Sequence, residues 1–259
     1  MDSTFNRLLD EFKNFTEVKA IALGGSFSAK TFDKISDIDI YVFVESDITE
    51  SERERLVKKY SSKYETGGEY FGSGDEFYVD KSGVVADVMY WDINWFEDCI
   101  NNVWFKFYPS NGYTTAFLYT LNNFKIIFDT DNWLFNLQRS IQTPYPQKLK
   151  QNIIKRNMML MKDKPFASYY EQIEKAIKRN DSVSVNHRIA AFLASYFDVI
   201  FALNEMLHSG EKRLLKYCCT NCKILPADFE KNINELLIQP NSRTLEILDK
   251  MTENLRRIL

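Results

Sequence analysis

The sequence predicts an α+β protein: a mixed sheet with flanking helices in residues 1–143, followed by a C-terminal helical bundle in residues 144–259. Three observations carry this reading. Two short apolar runs, 18–23 and 38–44, alternate in the manner of strands and flank a glycine turn at Gly24-Gly25. Strand-like and helix-like segments then interleave as far as Phe128. Beyond Pro144 and Pro146 the apolar residues recur only at helical spacing.

Taken in order, residues 3–15 have the pattern of a helix, and Val18 to Leu23 form a β-capable run ended by two glycines. Ile38 to Val44 is a second strand. A charged helix fits about residues 50–64, and a hairpin fits Glu76 to Tyr90, turning at Ser82-Gly83. Helices fit 93–104 and 113–121, and a final strand covers Lys125 to Phe128. Asp129 and Asp131 repeat an Asp-x-Asp spacing. No glycine turn precedes them and a helix opens at Trp133, so capping explains them. In the second half, Asn180-Asp181-Ser182 caps a long amphipathic helix running toward Leu207 and stopped by Ser209-Gly210. Further helices fit 147–162, 166–179, 226–238 and 242–257, the pattern of an up-and-down bundle.

Composition bounds the class. The 259 residues suffice for one large or two small cores. With 45% hydrophobic and 27% charged residues, the chain is of ordinary globular make-up. A formal net charge of -3 argues against general nucleic-acid binding, and the absence of an apolar run of about eighteen residues argues against a membrane span. Met1-Asp2-Ser3-Thr4 lacks the blocks of a signal peptide, which points to the cytoplasm. Cys218, Cys219 and Cys222 lie together, but Cys99 is the only other thiol and His187 and His208 the only histidines. No second ligand pair for zinc is visible, so reduced thiols are expected.

The chemistry concentrates between Gly24 and Asp39. Period-two alternation sends Asp37 and Asp39 to one face of their strand, about 7 Å apart, and Ile38 and Ile40 to the other. Two such carboxylates can lean toward one hard cation such as Mg²⁺, which favours oxygen ligands together with substrate phosphates. The glycines let the backbone approach a phosphate. Ser26 can begin a helical turn aimed at the anion, and Lys30 can add charge. No Walker signature is present.

The run Gly24-Gly25-Ser26 followed by Ser36-Asp37-Ile38-Asp39-Ile40-Tyr41-Val42 resembles the signature of the DNA polymerase β-like nucleotidyltransferase superfamily. It is most similar to the small bacterial branch that includes aminoglycoside and lincosamide nucleotidyltransferases. The resemblance covers roughly residues 18–130. It implies a nucleoside triphosphate held at the glycine-serine turn through Gly25, Ser26, Lys30 and Ser36, two Mg²⁺ ions, and metal ligation by Asp37, Asp39 and a third carboxylate on a later strand. Asp87, a single acid within Val84 to Tyr90, takes that third position and is a candidate general base. Asp92 is the second choice, with Glu76 and Glu97 behind it.

The implied reaction moves a nucleoside monophosphate from the triphosphate to a hydroxyl of a small molecule, an antibiotic among the candidates, with release of pyrophosphate. Alternatives are modification of a protein or RNA partner, as in antitoxin-like members, or a non-catalytic binding module retaining the fold. In two-domain relatives of this kind the acceptor lies in a cleft between domains. Lys212 and Arg213 read better as a solvated helix start than as a phosphate contact. The aromatic residues between Tyr90 and Tyr108 read better as packing than as an acceptor pocket. The acceptor, the preferred base and the oligomeric state, a homodimer among the options, stay open.

Overall fold

The computed structural model describes residues 3–25, 37–69, 72–80, 84–163, 166–238 and 243–259. The chain forms two compact units, Met1–Asn101 with Thr120–Thr143, and Asn102–Tyr119 with Pro144–Leu259. Residues 102–119 therefore pack with the later helices, where a single cut at 143/144 does not put them.

The first unit holds a six-stranded sheet. Its elements are α1 (Ser3–Phe12), β1 (Val18–Leu23), β2 (Ile38–Val44), α2 (Glu50–Val57), β3 (Tyr64–Gly68), β4 (Gly74–Val79), β5 (Val84–Asp92), α3 (Ile93–Trp104), α4 (Ala116–Asn122), β6 (Lys125–Asp129) and α5 (Trp133–Ser140), with α3 and α4 reaching past the unit's edges. The strand order is β3-β4-β5-β2-β1-β6. β2 and β5 run parallel and the other pairs antiparallel, which makes the sheet mixed.

Alternation sorts the strands into two faces. Ile38, Ile40, Val42, Ala86, Val88, Phe77, Ile21 and Leu23 share one cluster with Phe5, Leu8 and Phe12 of α1 and Leu56 and Val57 of α2. On the other face Phe43 is fully buried, its ring 5.2 Å from Phe96, 5.3 Å from Trp133 and 5.6 Å from Phe124. Both faces are thus anchored by side chains whose burial contributes about 1.5–3 kcal/mol each.

The strands at 18–23 and 38–44 form where their alternation places them. The charged helix does not reach residue 64; it ends at Val57, and Tyr64 begins β3. β3 carries little signal in the sequence because Tyr64-Glu65-Thr66-Gly67-Gly68 lacks apolar alternation and pairs with one strand, β4, at the sheet edge. The hairpin runs from β4 into β5, with its expected turn at Ser82-Gly83 outside the described residues.

The second unit is helical: α6 (Gln147–Met158), continued by a π-helical turn at Met159–Asp163, α7 (Tyr169–Lys178), α8 (Ser182–Leu203), α9 (Leu214–Asn221), α10 (Phe229–Ile238) and α11 (Thr244–Arg256). Asp181 caps α8, accepting a hydrogen bond from Ser184 N at 3.0 Å. Ile189, Phe192, Tyr196, Val199 and Ile200 of α8 meet Ile233, Leu236, Leu248, Met251 and Leu255 in one core. Helix α9, too short to show in the periodicity, begins where Lys212 and Arg213 read as a solvated helix start. Arg213, in the left-handed region at φ 57°, is its N-cap.

Within this core α8 carries a buried acid. Asp198 is 1% exposed and accepts hydrogen bonds from Thr114 N at 3.0 Å, Thr114 Oγ1 at 2.6 Å and Asn157 Nδ2 at 3.0 Å. Burial pushes its carboxyl up to about 6 against the downward pull of these donors. Its contribution to stability is thus full below the ordinary value of 3.8 and is lost as pH rises through about 6. His208, buried against the rings of Tyr113 and Phe201, has the opposite sense. Burial holds it down to about 4, so its contribution is full above 6.5 and is lost as pH falls through about 4. Urea denaturation as a function of pH tests the first of these. Asp198→Asn removes the falling contribution between pH 3.8 and about 6 and leaves the rising one of His208, so the variant's stability should climb with pH more steeply than the wild type's over that window; an unchanged slope would show that Asp198 does not contribute.

Candidate active site

β1 ends against β2 in a contact that only glycine permits. Gly24 N donates to Asp39 O at 3.0 Å, and a Cβ on Gly24 would lie 2.4 Å from Cε2 of Tyr41. Gly25 is in the left-handed region at φ +59°, and a Cβ there would lie 1.5 Å from Oδ2 of Asp39. The turn backbone therefore rests directly beside the Asp39 carboxylate. Any side chain at residue 25 would displace it.

Asp39 stands opposite Asp87 in the parallel register of β2 and β5. Neighbouring strands are about 4.8 Å apart, so the two half-buried carboxylates share one face at that spacing. Asp37, exposed, lies just ahead of β2. Among the described residues no three carboxylate, imidazole or thiol groups converge closely enough to hold a metal ion, so Asp37 is not gathered into a triad with the other two. Ser26, Lys30 and Ser36, the other expected nucleotide contacts, lie outside the described residues.

Tyr41 is the next residue of β2 on this face. Its ring packs edge-on to Trp91 and Phe124, each at 4.7 Å between centroids. Burial, then the negative charge of Asp39 and of Asp87, push its phenol far up. Tyr41 stays protonated beside the pair and walls it on the side toward the aromatic cluster. The sequence signal for it is its offset of two from Asp39.

The reserve candidates have other duties. Asp92 alternates to the opposite face from Asp87 and caps α3, accepting from Trp95 N at 2.8 Å. Glu97 accepts a hydrogen bond from the indole of Trp133. Asp129 accepts from Leu134 N at 3.0 Å and Phe135 N at 2.9 Å at the start of α5, and Asp131 pairs with Lys19 at 2.9 Å. Glu76 is the one reserve candidate on the site face, directly opposite Asp87 in the β4–β5 register. Cys99, Cys218, Cys219 and Cys222 are not joined in disulfides.

The donor chemistry fits a hard divalent cation: two carboxylates side by side, oxygen ligands only, next to a turn whose backbone no Cβ encumbers. Gly25→Ala meets both a positive φ and an overlap with Asp39. Gly210→Ala meets a positive φ alone, since a Cβ there would have nothing within 4 Å. By urea denaturation Gly210→Ala should cost about 1–2 kcal/mol and Gly25→Ala clearly more; equal losses would show that the turn is not wedged against Asp39.

Residues 6–68 match the family model described as "Polymerase beta, Nucleotidyltransferase". Residues 112–212, which include Thr114, Asn157, Asp198 and His208, match "Domain of unknown function (DUF4037)". Among solved structures, a nucleotidyltransferase-like protein from Exiguobacterium sibiricum 255-15 is similar at 8% identity and a TM-score of 0.48, over 98% of this chain and 73% of that one. A STING-associated CdnE c-di-GMP synthase from Capnocytophaga granulosa is similar at 12% identity and a TM-score of 0.26, over 98% and 77% of the two chains. No curated protein matches the chain. Among the described residues no helix is long and apolar enough to cross a membrane. The match over residues 6–68, which spans Gly24, Gly25, Asp37 and Asp39, places that segment in the polymerase β-like nucleotidyltransferase superfamily.

Proposed function

We propose that the protein is a Mg²⁺-dependent nucleotidyltransferase that moves a nucleoside monophosphate from a nucleoside triphosphate to a hydroxyl of a small molecule and releases pyrophosphate. The observation that carries this reading is the register of β2 and β5, which sets Asp39 and Asp87 side by side, with Gly25 packed against Asp39.

Each residue has a part that follows from its place. Asp39 and Asp87 would hold the divalent cations between them, and Asp37, exposed at the entry to β2, would add negative charge near them without joining their pair. The cations supply charge neutralisation along the triphosphate and lower the pKa of the attacking hydroxyl. Gly24 and Gly25 present bare backbone to the triphosphate, and Ser26, Lys30 and Ser36 of the following segment add a hydroxyl pair and a positive charge. Tyr41, kept protonated, excludes water from the inner side of the pair. Nothing in this set reads the base or the acceptor. An antibiotic is one acceptor class to screen, and a cytoplasmic setting suits a nucleoside triphosphate donor.

Pyrophosphate release from each of the four nucleoside triphosphates with Mg²⁺ and a panel of hydroxylated acceptors tests the reading. Asp39→Asn and Asp87→Asn should each lower turnover on the order of 10³-fold with the fold retained. Asp92→Asn, which touches only a helix cap, should leave turnover intact. Wild-type turnover in either of the first two variants would contradict the assignment.

A further inference from the structure

β4 carries two consecutive acids that face opposite ways. Asp75 is 3% exposed on the helix-covered face, where its carboxylate accepts from Tyr90 Oη at 2.8 Å, Arg53 Nη1 at 3.1 Å and Gly67 N at 3.1 Å. The Arg53 guanidinium also lies 4.6 Å from the centre of the Tyr90 ring. This buried network ties α2, β3, β4 and β5 together, and a one-residue slip of β4 would turn Asp75 out of it. With Asp75 fixed opposite Val88, its neighbour Glu76 has one place to go: the other face, opposite Asp87.

One row therefore crosses the sheet. It starts at the Gly24-Gly25 turn beyond β1, continues through Asp39 on β2, Asp87 on β5 and Glu76 on β4, and ends at Glu65 on β3. Successive members are about 4.8 Å apart. The row has a direction, because the phosphate-approaching turn is at one end and exposed carboxylates are at the other.

We propose that Glu76 is the acceptor-side catalytic residue, receiving the proton of the acceptor hydroxyl during transfer. The inference rests on the nucleotidyltransferase reading above. In an in-line displacement the attacking oxygen and the departing pyrophosphate lie on opposite sides of the α-phosphorus. With the triphosphate tail over Gly25, the attacking oxygen enters from the β4 side. Asp87 stands directly beside Asp39, and in the reading above its carboxylate oxygens are taken up in holding the cation. Glu76 is one strand further on, within reach of an oxygen above Asp87, and open to water that can carry the proton away. Glu65, two strands from Asp87, is too distant to serve. In the step, the acceptor oxygen forms its bond to the α-phosphorus, the bond from that phosphorus to the bridging oxygen breaks, pyrophosphate leaves, and the proton passes to Glu76 and then to solvent.

The test uses the full chain with Glu76→Gln, Glu76→Asp and Glu65→Gln, and Asp39→Asn as reference. Nucleotide binding is read as the rise in melting temperature with Mg²⁺ and α,β-methylene analogues of ATP, GTP, CTP and UTP. Turnover is read as pyrophosphate release with the acceptor panel as a function of pH. Glu76→Gln should keep the wild-type rise in melting temperature, lower kcat about 10²–10⁴-fold and lose the acid limb of the pH profile. Glu76→Asp should recover part of the rate, and Glu65→Gln should match wild type. A Glu76→Gln protein with wild-type kcat and pH profile, while Asp39→Asn is inactive, overturns the role of Glu76 alone. Loss of nucleotide stabilisation in Glu76→Gln also overturns it, because the residue would then serve the metal or the fold. A wild-type protein silent with all four nucleotides overturns the nucleotidyltransferase reading and this role with it.

Discussion

The in-register parallel pairing of β2 with β5 is the constraint on which the rest of the first unit depends. It sets two carboxylates at about strand spacing on one face, an arrangement that costs roughly 3 kcal/mol in mutual repulsion at an effective dielectric near 20. The same pairing buries Ile40, Val42, Ala86 and Val88 on the opposite face, each at 0% exposure, and these side chains offset the repulsion. A hydrophobic face thus fixes the geometry of a charged one. The glycine turn follows from it, because Asp39 leaves no space for a Cβ at residue 25.

The two faces divide the labour of their acids along the same lines. Asp75 and Asp92 serve structure, one within a buried network and the other as a helix cap, and both face away from the pair. Asp39, Asp87 and Glu76 fall on the opposite face, where no alternation brings an aliphatic side chain between them. Toward the other end of β2 that face is closed by Tyr41, Phe43, Trp91, Phe96 and Phe124, which makes the inner boundary of the site apolar. In the second unit Asp198 follows the structural pattern, its carboxylate joining the segment around Thr114 to α6 and α8.

Much of this arrangement is legible in the order of residues alone. Alternation marks β1 and β2 to the residue, and a lone acid in the apolar run 84–90 singles out Asp87. Helical spacing also marks α3 and most of the bundle. The features that local pattern does not show share one cause, dependence on partners distant in sequence. β3 has no apolar pattern of its own and exists through β4. That Glu76 lies beside Asp87 needs the β4–β5 register, which no single strand encodes. The packing of residues 102–119 with the later helices depends on contacts such as Thr114 with Asp198, 84 positions apart. Local periodicity reports which face a residue takes, and only pairing reports its neighbour.

The central claim is that Asp39 and Asp87 together hold divalent cations for a bound triphosphate. Titration of Mn²⁺ into the full-length protein, followed by electron paramagnetic resonance with and without an α,β-methylene nucleotide, tests it most directly. The nucleotide should tighten Mn²⁺ binding by about tenfold or more in the wild type, and the double variant Asp39→Asn/Asp87→Asn should abolish the effect. Mn²⁺ binding that is equally tight in the double variant, with the nucleotide present, would contradict it.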